Sequence, residues 1–475
     1  MTAVADTSAP CRSTPPTEDH AEPGRLRRWF SPLFPDARST PVTLRGLGLA
    51  ASAVVAGTAV GLARVGGHGP FDSIWAEDGM IFVTDALNMS FVDAVTTSMN
   101  GYFHLIPRVF AEVTTFLPVS WAAAVMTIEA ALTSALLSVL VYVASGSHVN
   151  STVIRLLAAA PLVVAPVGQG GMGHDGGSVI DNLATLQFEL MYALFWLMLW
   201  VPAGRVGRII APTVVLLVAL STPLSAIGLP LLAIRLLVRR DGTGLLMMVG
   251  LVIGAAVQYG GLALGYSSRG DIGHTRVDPV WVAKEYVGWS IPNALLGETW
   301  WRQTVRHTTE HRALVAAAWL LVLAIVAAAL LKVTRPRWHV AIAAFGYSLL
   351  LTGIELASLG ATADRYLYTP GLLAIAGLAA LLPPAGPAWR GPGNVPVVVL
   401  ATVLVVVCGA NFRVDNHRAF ARSWTTAVDQ AREQCADGAK SEVTISTHTK
   451  SRYWTATIPC RKLNVSIPWA PRARR

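Results

Sequence analysis

The sequence predicts an all-α polytopic membrane protein of about eleven transmembrane helices, N-terminus inside and C-terminus outside, ending in a small extracytoplasmic α+β domain. Three observations predict it. First, the 475 residues are 53% hydrophobic and only 14% charged, at a mean hydropathy of +0.50. A soluble domain carries roughly 25% charged residues, and its single core stops growing near ~250–300 residues, so this much apolar sequence needs lipid as its solvent. Second, the apolar residues fall in long runs. Third, the basic residues collect in alternate connectors between those runs.

The runs cover about 44–63, 121–145, 153–168, 183–202, 208–222, 224–238, 243–265, 312–332, 338–358, 367–383 and 395–410. Most reach the ~20 residues that cross ~30 Å of hydrocarbon. Helices are the open choice, because lipid offers no partner to an unpaired strand edge. Ser221-Thr222-Pro223 separates two short runs, which read as two short spans or as one broken helix with a re-entrant segment.

Residues 1–43 are polar and Pro-rich and read as a disordered cytoplasmic tail. A secretory leader would carry its apolar stretch nearer Met1, so the first span is its own insertion signal. Arg25, Arg27, Arg28, Arg38 and Arg45 place that tail inside. Alternating from there, the inner connectors carry Arg155; Arg205 and Arg208; Arg235, Arg239 and Arg240; Lys332, Arg335 and Arg337; and Arg390. This is the positive-inside bias of short loops. The net charge of +9 is therefore an orientation signal and not a nucleic-acid patch. Disulfides form on the outer side, and Cys435 and Cys460 both fall in the segment assigned there.

Three units follow: a tail 1–43, a transmembrane domain 44–410 with long outer loops 64–120 and 266–311, and an outer domain 411–475. The aromatic spacing of Trp281, Tyr286, Trp289, Trp300 and Trp301 suits helices lying along the interface. In the last unit a helix-like Ala419–Arg432 precedes Val443-Thr444-Ile445-Ser446-Thr447, whose period of two reads as a strand. That unit is expected to be closed by a Cys435–Cys460 bridge.

Long loops carry function more often than short ones. Glu77-Asp78 follows the first span, and two adjacent carboxylates near a low-dielectric surface repel, raising one pKa toward a general base's range. The pair also suits a divalent metal ion, or is simply a solvated acid pair. Pro107 starts a helix on which Arg108 and Glu112 share a face, with His104 just ahead; Arg108 forms an intrahelical ion pair or a two-pronged phosphate clamp. Asp364-Arg365-Tyr366 ends another outer loop, where Arg365 binds a ligand or snorkels to headgroups. His174, Asp175 and Asp181 flank a glycine-rich loop that is flexible enough to approach a ligand but fits no phosphate-loop pattern. Glu129, Glu189 and Glu355 lie inside apolar runs, where an acid is a functional candidate by default.

With its inside N-terminus, the acidic pair Glu77-Asp78 in a long first outer loop, Arg365-Tyr366 before a late span, and an outer C-terminal domain, the chain resembles the GT-C superfamily of membrane glycosyltransferases. The string Trp75-Ala76-Glu77-Asp78-Gly79 is similar to one in multispan actinobacterial proteins; the preponderance of Arg, with five Lys among 37 basic residues, fits high-GC coding of that kind. The resemblance implies a polyprenyl-phosphate sugar donor, a glycan or lipid acceptor of the cell envelope, and a multi-pass protein of the plasma membrane active on its extracytoplasmic face. It implies Glu77 or Asp78 as general base, with His104, Arg108, Arg365, Tyr366, His174 and Asp175 as substrate-binding candidates. A secondary transporter or lipid-linked-sugar translocase using the intramembrane Glu residues is the alternative, and a scaffold of envelope assembly a third.

Overall fold

The computed structural model describes residues 25–36, 43–170, 178–267, 278–301, 308–359, 364–384, 394–414, 416–449 and 453–463. Helices lie at each apolar run of the sequence. The first, α1 (Arg25–Phe30), falls in the segment expected to be disordered. A 3-10 turn follows it, Leu33 and Phe34 are buried, and Arg239 Nη1 donates to the Phe34 carbonyl at 2.7 Å. Burial of two large apolar groups offsets the cost of ordering this short stretch. The rest of 1–43 lies outside the described residues, apart from 31–36 and 43.

Thr43 caps α2 (Leu44–Arg64), its hydroxyl accepting the Gly46 N–H at 3.0 Å. A helix α3 (Leu105–Val113) and then the long α4 (Ala122–Ser145) follow. Gly57 and Gly61, one turn apart, bring α2 against Ala131 and Ala135 of α4, the close approach that small residues allow between membrane helices. Two short helices, Thr152–Ala159 and Pro161–Val164, lead to α5 (Gln187–Leu199). Every α5 residue from Phe188 to Leu199 is buried. A helix apolar on all sides suits either lipid or a protein core, and here it is core.

The two short runs around Pro223 become α6 (Arg205–Ala219), a 3-10 turn Pro223–Gly228 and α7 (Leu229–Arg239). Asp241 caps α8 (Gly242–Ala263) and holds the buried Arg235 with both oxygens, at 2.9 and 3.0 Å. Next come α9 (Ile291–Leu296), α10 (Thr309–Leu330), α11 (Trp338–Leu359), α12 (Tyr368–Ala380) and α13 (Val395–Ala410). In the segment expected to lie along an interface, Trp289 and Ile291–Leu295 are buried, with Ala294 where a Cβ on Gly371 of α12 would meet it at 3.0 Å, while Val280, Val287 and Trp300 are exposed.

Among the described residues, five helices are long and apolar enough to cross a membrane: α2, α4 with the turn before it, α8, α10 and α11. Arg235 donates to the carbonyls of Met198 and Trp200, and Arg335 and Arg337 N–H groups to those of Pro383 and Ala380, so these basic connectors share one end of the bundle. At the other end Arg64 donates to three carbonyls, those of Val163, Ala165 and Phe412. The loop after α2 and the C-terminal residues meet there.

Those C-terminal residues form a 3-10 turn His417–Phe420, α14 (Trp424–Cys435) and an antiparallel pair β1 (Glu442–Ser446) and β2 (Thr455–Pro459), with Val443 opposite Ile458. Val443, Ile445, Ala456 and Ile458 are buried, the alternation a one-sided sheet requires. Cys435 and Cys460 are joined by a disulfide with Cα atoms 5.6 Å apart. The lobe is anchored on the loop after α2: Trp424 Nε1 donates to Val119 O at 2.8 Å, Thr425 N to Asp72 at 2.8 Å, and Asn88 to Thr457 O at 2.9 Å.

Candidate functional site

A cavity of about 290 Å³ lies between the loop after α2, the 3-10 turn Asp364–Leu367 and the C-terminal lobe; Glu77, Arg365, His417, Arg418 and His448 line it, with Trp75 and Trp454. Glu77 leads into a π-helical stretch Asp78–Val83, a backbone form frequent at functional sites. Glu77 lines the cavity and its Oε2 is buried without a hydrogen-bond partner.

Asp78 points the other way. Its Oδ2 accepts the Leu183 N–H at 3.0 Å and its Oδ1 the Ala184 N–H at 2.8 Å. Burial pushes its pKa up to about 7, against those two N–H groups and Arg418, with Glu77 adding a smaller upward push. Asp181 is raised to about 6 by burial, opposed by Arg418 and Arg64.

Arg365 is the facing cation. Its Nη2 lies 3.3 Å from the Tyr366 hydroxyl, with the guanidinium carbon 5.1 Å from that ring's centre. Burial works to lower its pKa, but Tyr366, Glu77 and Tyr102 outweigh it, so it is held above its ordinary value. Tyr366 meets Phe188 of α5 edge-on at 5.5 Å. Arg418 forms the floor: Nη1 donates to Asp181 O at 2.6 Å, Nη2 to Ser73 O at 2.9 Å and to the Thr127 hydroxyl, and Nε to Ser73 Oγ at 3.2 Å. It binds loop, helix and lobe together. His448 Nε2 lies 3.2 Å from the His417 carbonyl, the two rings 5.9 Å apart.

The structure thus brings Glu77 and Arg365 to one cavity. It does not bring His104 and Arg108 there. Arg108 is 2% exposed and pairs with Asp85 at 2.9 Å, also donating to Ala94 O, in place of the expected pairing with Glu112 on its own helix. His104, also buried, stacks on Tyr102 at 4.0 Å; burial, with Arg108 beside it, lowers its pKa to about 3, so it is neutral at pH 7. His174 and Asp175 lie outside the described residues. Three cavity residues from the lobe, His417, Arg418 and His448, were not singled out by sequence; a lone histidine or arginine in a tail has no spacing to betray it.

As for a divalent metal, both Asp78 oxygens are taken by backbone N–H groups, which leaves Glu77 as the one carboxylate lining the cavity among the described residues. Among the described residues, no three His, Cys, Asp or Glu side chains group as a metal site. The pair does not present the oxygen cluster that such an ion requires.

Fold and site together define a many-helix protein with, among the described residues, five helices suited to a membrane and a polar, arginine-bearing cavity at one end of the bundle. No family model matches the chain, and no curated protein matches it. Among solved structures it is similar to the cryo-EM structure of the arabinofuranosyltransferase AftD from Mycobacteria, with a TM-score of 0.43 and 15% identity, over 86% of this chain and 30% of that one. The chain thus corresponds to about 30% of that protein's length.

Proposed function

We propose that the chain is an integral membrane glycosyltransferase that moves a sugar from a polyprenyl-phosphate donor to a cell-envelope acceptor with inversion, on the face where the loop after α2 meets the C-terminal lobe. The positive-inside count supports reading that face as extracytoplasmic. The observation that carries the reading is the shared cavity of Glu77 and Arg365, residues distant in sequence.

Glu77 takes the proton from an acceptor hydroxyl. The oxygen so activated attacks the anomeric carbon as the bond from that carbon to the phosphate oxygen breaks, and polyprenyl phosphate leaves with the electron pair. Arg365 offers a planar fork to the phosphate as its charge grows, and the donor's lipid chain runs between helices below it. Glu77 suits the base because its buried oxygen is unpartnered, while Asp78 has both oxygens engaged. The test is transfer from a polyprenyl-phosphate sugar by the full chain in liposomes. Glu77→Gln is expected to slow it by about 10²–10⁴-fold, and an unchanged rate would overturn the reading.

A transporter or translocase is the second reading, favoured by Glu189 and Glu355, both buried within helices. Counterflow uptake that depends on either residue supports it over the transferase.

A further inference from the structure

A second, larger cavity of about 1120 Å³ runs along the helices between α4 and α6, from Ile106 and Phe110 of α3 to the opposite end of the bundle. Its chemistry is graded. Leu136 and Leu140 of α4 and Val214 and Leu217 of α6 make its length apolar, whereas Ser147, Asn150, Arg155, Trp200 and Arg205 gather at one end. Among the described residues, no Asp or Glu lines it. Its volume exceeds the ~300–1,000 Å³ of ordinary small-molecule pockets, and a long apolar trough ending in cations and an indole is the shape of a lipid.

We propose that this groove is a binding site for an anionic phospholipid, its acyl chains between α4 and α6 and its headgroup at Arg155 and Arg205, separate from the Glu77 cavity. Arg155 is set in place for this: Nε and Nη2 both donate to Tyr142 O, at 2.9 and 2.7 Å, and the guanidinium lies 3.8 Å from the Tyr142 ring centre. Arg205 is exposed at the mouth. Basic pockets between membrane helices select anionic headgroups in this way. The headgroup end settles the choice of occupant: it lies with the basic connectors, at the end of the bundle opposite Glu77 and Arg365. A donor whose phosphate reaches Arg365 cannot place that phosphate here as well.

The test uses the purified full chain in neutral detergent, titrated with dioleoylphosphatidylglycerol or dioleoylphosphatidylcholine, with bound lipid counted by intact-complex mass spectrometry and Tm followed in parallel. Phosphatidylglycerol is expected to bind one molecule more tightly and to raise Tm further. Arg205→Gln, on the surface, should weaken that binding about fivefold, at roughly 1 kcal/mol per charge, and Leu136→Trp should block it by filling the trough. Equal binding of the two lipids, or an Arg205→Gln chain with undiminished preference, overturns the proposal. So does displacement of phosphatidylglycerol by polyprenyl phosphate, which assigns the groove to the donor chain and leaves the transferase reading standing.

Discussion

Glu77 and Asp78 are adjacent in sequence and serve opposite surroundings: Glu77 lines the cavity that holds Arg365, while Asp78 is 2% exposed and accepts the N–H groups of Leu183 and Ala184. Adjacent residues of a helix point about 100° apart, which lets the two carboxylates enter different surroundings. An acid pair that looks like a single unit in sequence is one carboxylate lining the cavity and one fastened to backbone N–H groups.

The fastener has a pH signature. The Asp78 carboxyl is raised from 3.8 to about 7 by burial, so between those values the folded chain holds a proton that the unfolded chain has released. Stability then falls as pH rises from about 4 to 7, and the Asp181 carboxyl, raised to about 6, adds a slope of the same sign. Tm in detergent should fall across this range, and Asp78→Asn should flatten the part between pH 6 and 7. An identical slope in that variant contradicts the assignment.

Removing Arg418 should be severe. Arg418→Ala deletes bonds to Ser73, Asp181 and Thr127, takes from buried Asp78 its neighbouring cation and leaves Asp181 with Arg64 alone. The cost of uncompensating buried charge is about 3–5 kcal/mol, read as loss of folded protein or a large drop in Tm. Arg418→Lys should recover little, since one ammonium cannot reproduce the fork.

The α2–α4 contact depends on glycine. A Cβ at Gly57 would sit 3.0 Å from that of Ala135, so Gly57→Leu should force the helices apart and cost about 1–3 kcal/mol. Gly48 has nothing within 4 Å, and Gly48→Leu on the same helix should be neutral. Thermal unfolding of the two variants side by side checks the difference.

The disulfide closes a separation of 25 residues, worth about 3–4 kcal/mol by loop entropy. Reduction, or Cys435→Ser, should loosen the lobe. Because His417 and His448 reach the cavity from that lobe, the proposed transfer should fall along with the protease resistance of residues 424–463. Loosening without any effect on transfer removes the lobe from the site.

Much of the fold was legible because local rules and burial agreed. Thr43 and Asp241 cap helices that begin where apolar runs begin, and Pro223 breaks the chain where expected. Position relative to the core was not legible: α5 reads as one apolar run among others and is buried in protein, since an all-apolar helix carries no mark of which solvent it meets. The site was legible by halves. Glu77 and Arg365 stand out by type and place, but their meeting is a long-range event that one sequence does not encode visibly. Arg108 shows the reverse error: helical spacing points to Glu112, and the tertiary fold supplies Asp85, 23 residues back.

The central claim is that Glu77, rather than Asp78, is the base of a sugar transfer. Its most direct test is the initial rate of product formation in membranes carrying the full chain, using a panel of radiolabelled polyprenyl-phosphate pentoses and hexoses as donors. With a donor that the unaltered chain uses, Glu77→Gln should lose about 10²–10⁴-fold in rate at unchanged protein level and Tm, while Asp78→Asn loses stability and keeps a rate per folded molecule within a few-fold. Full transfer by Glu77→Gln, or a panel in which the unaltered chain uses no donor, would contradict the account.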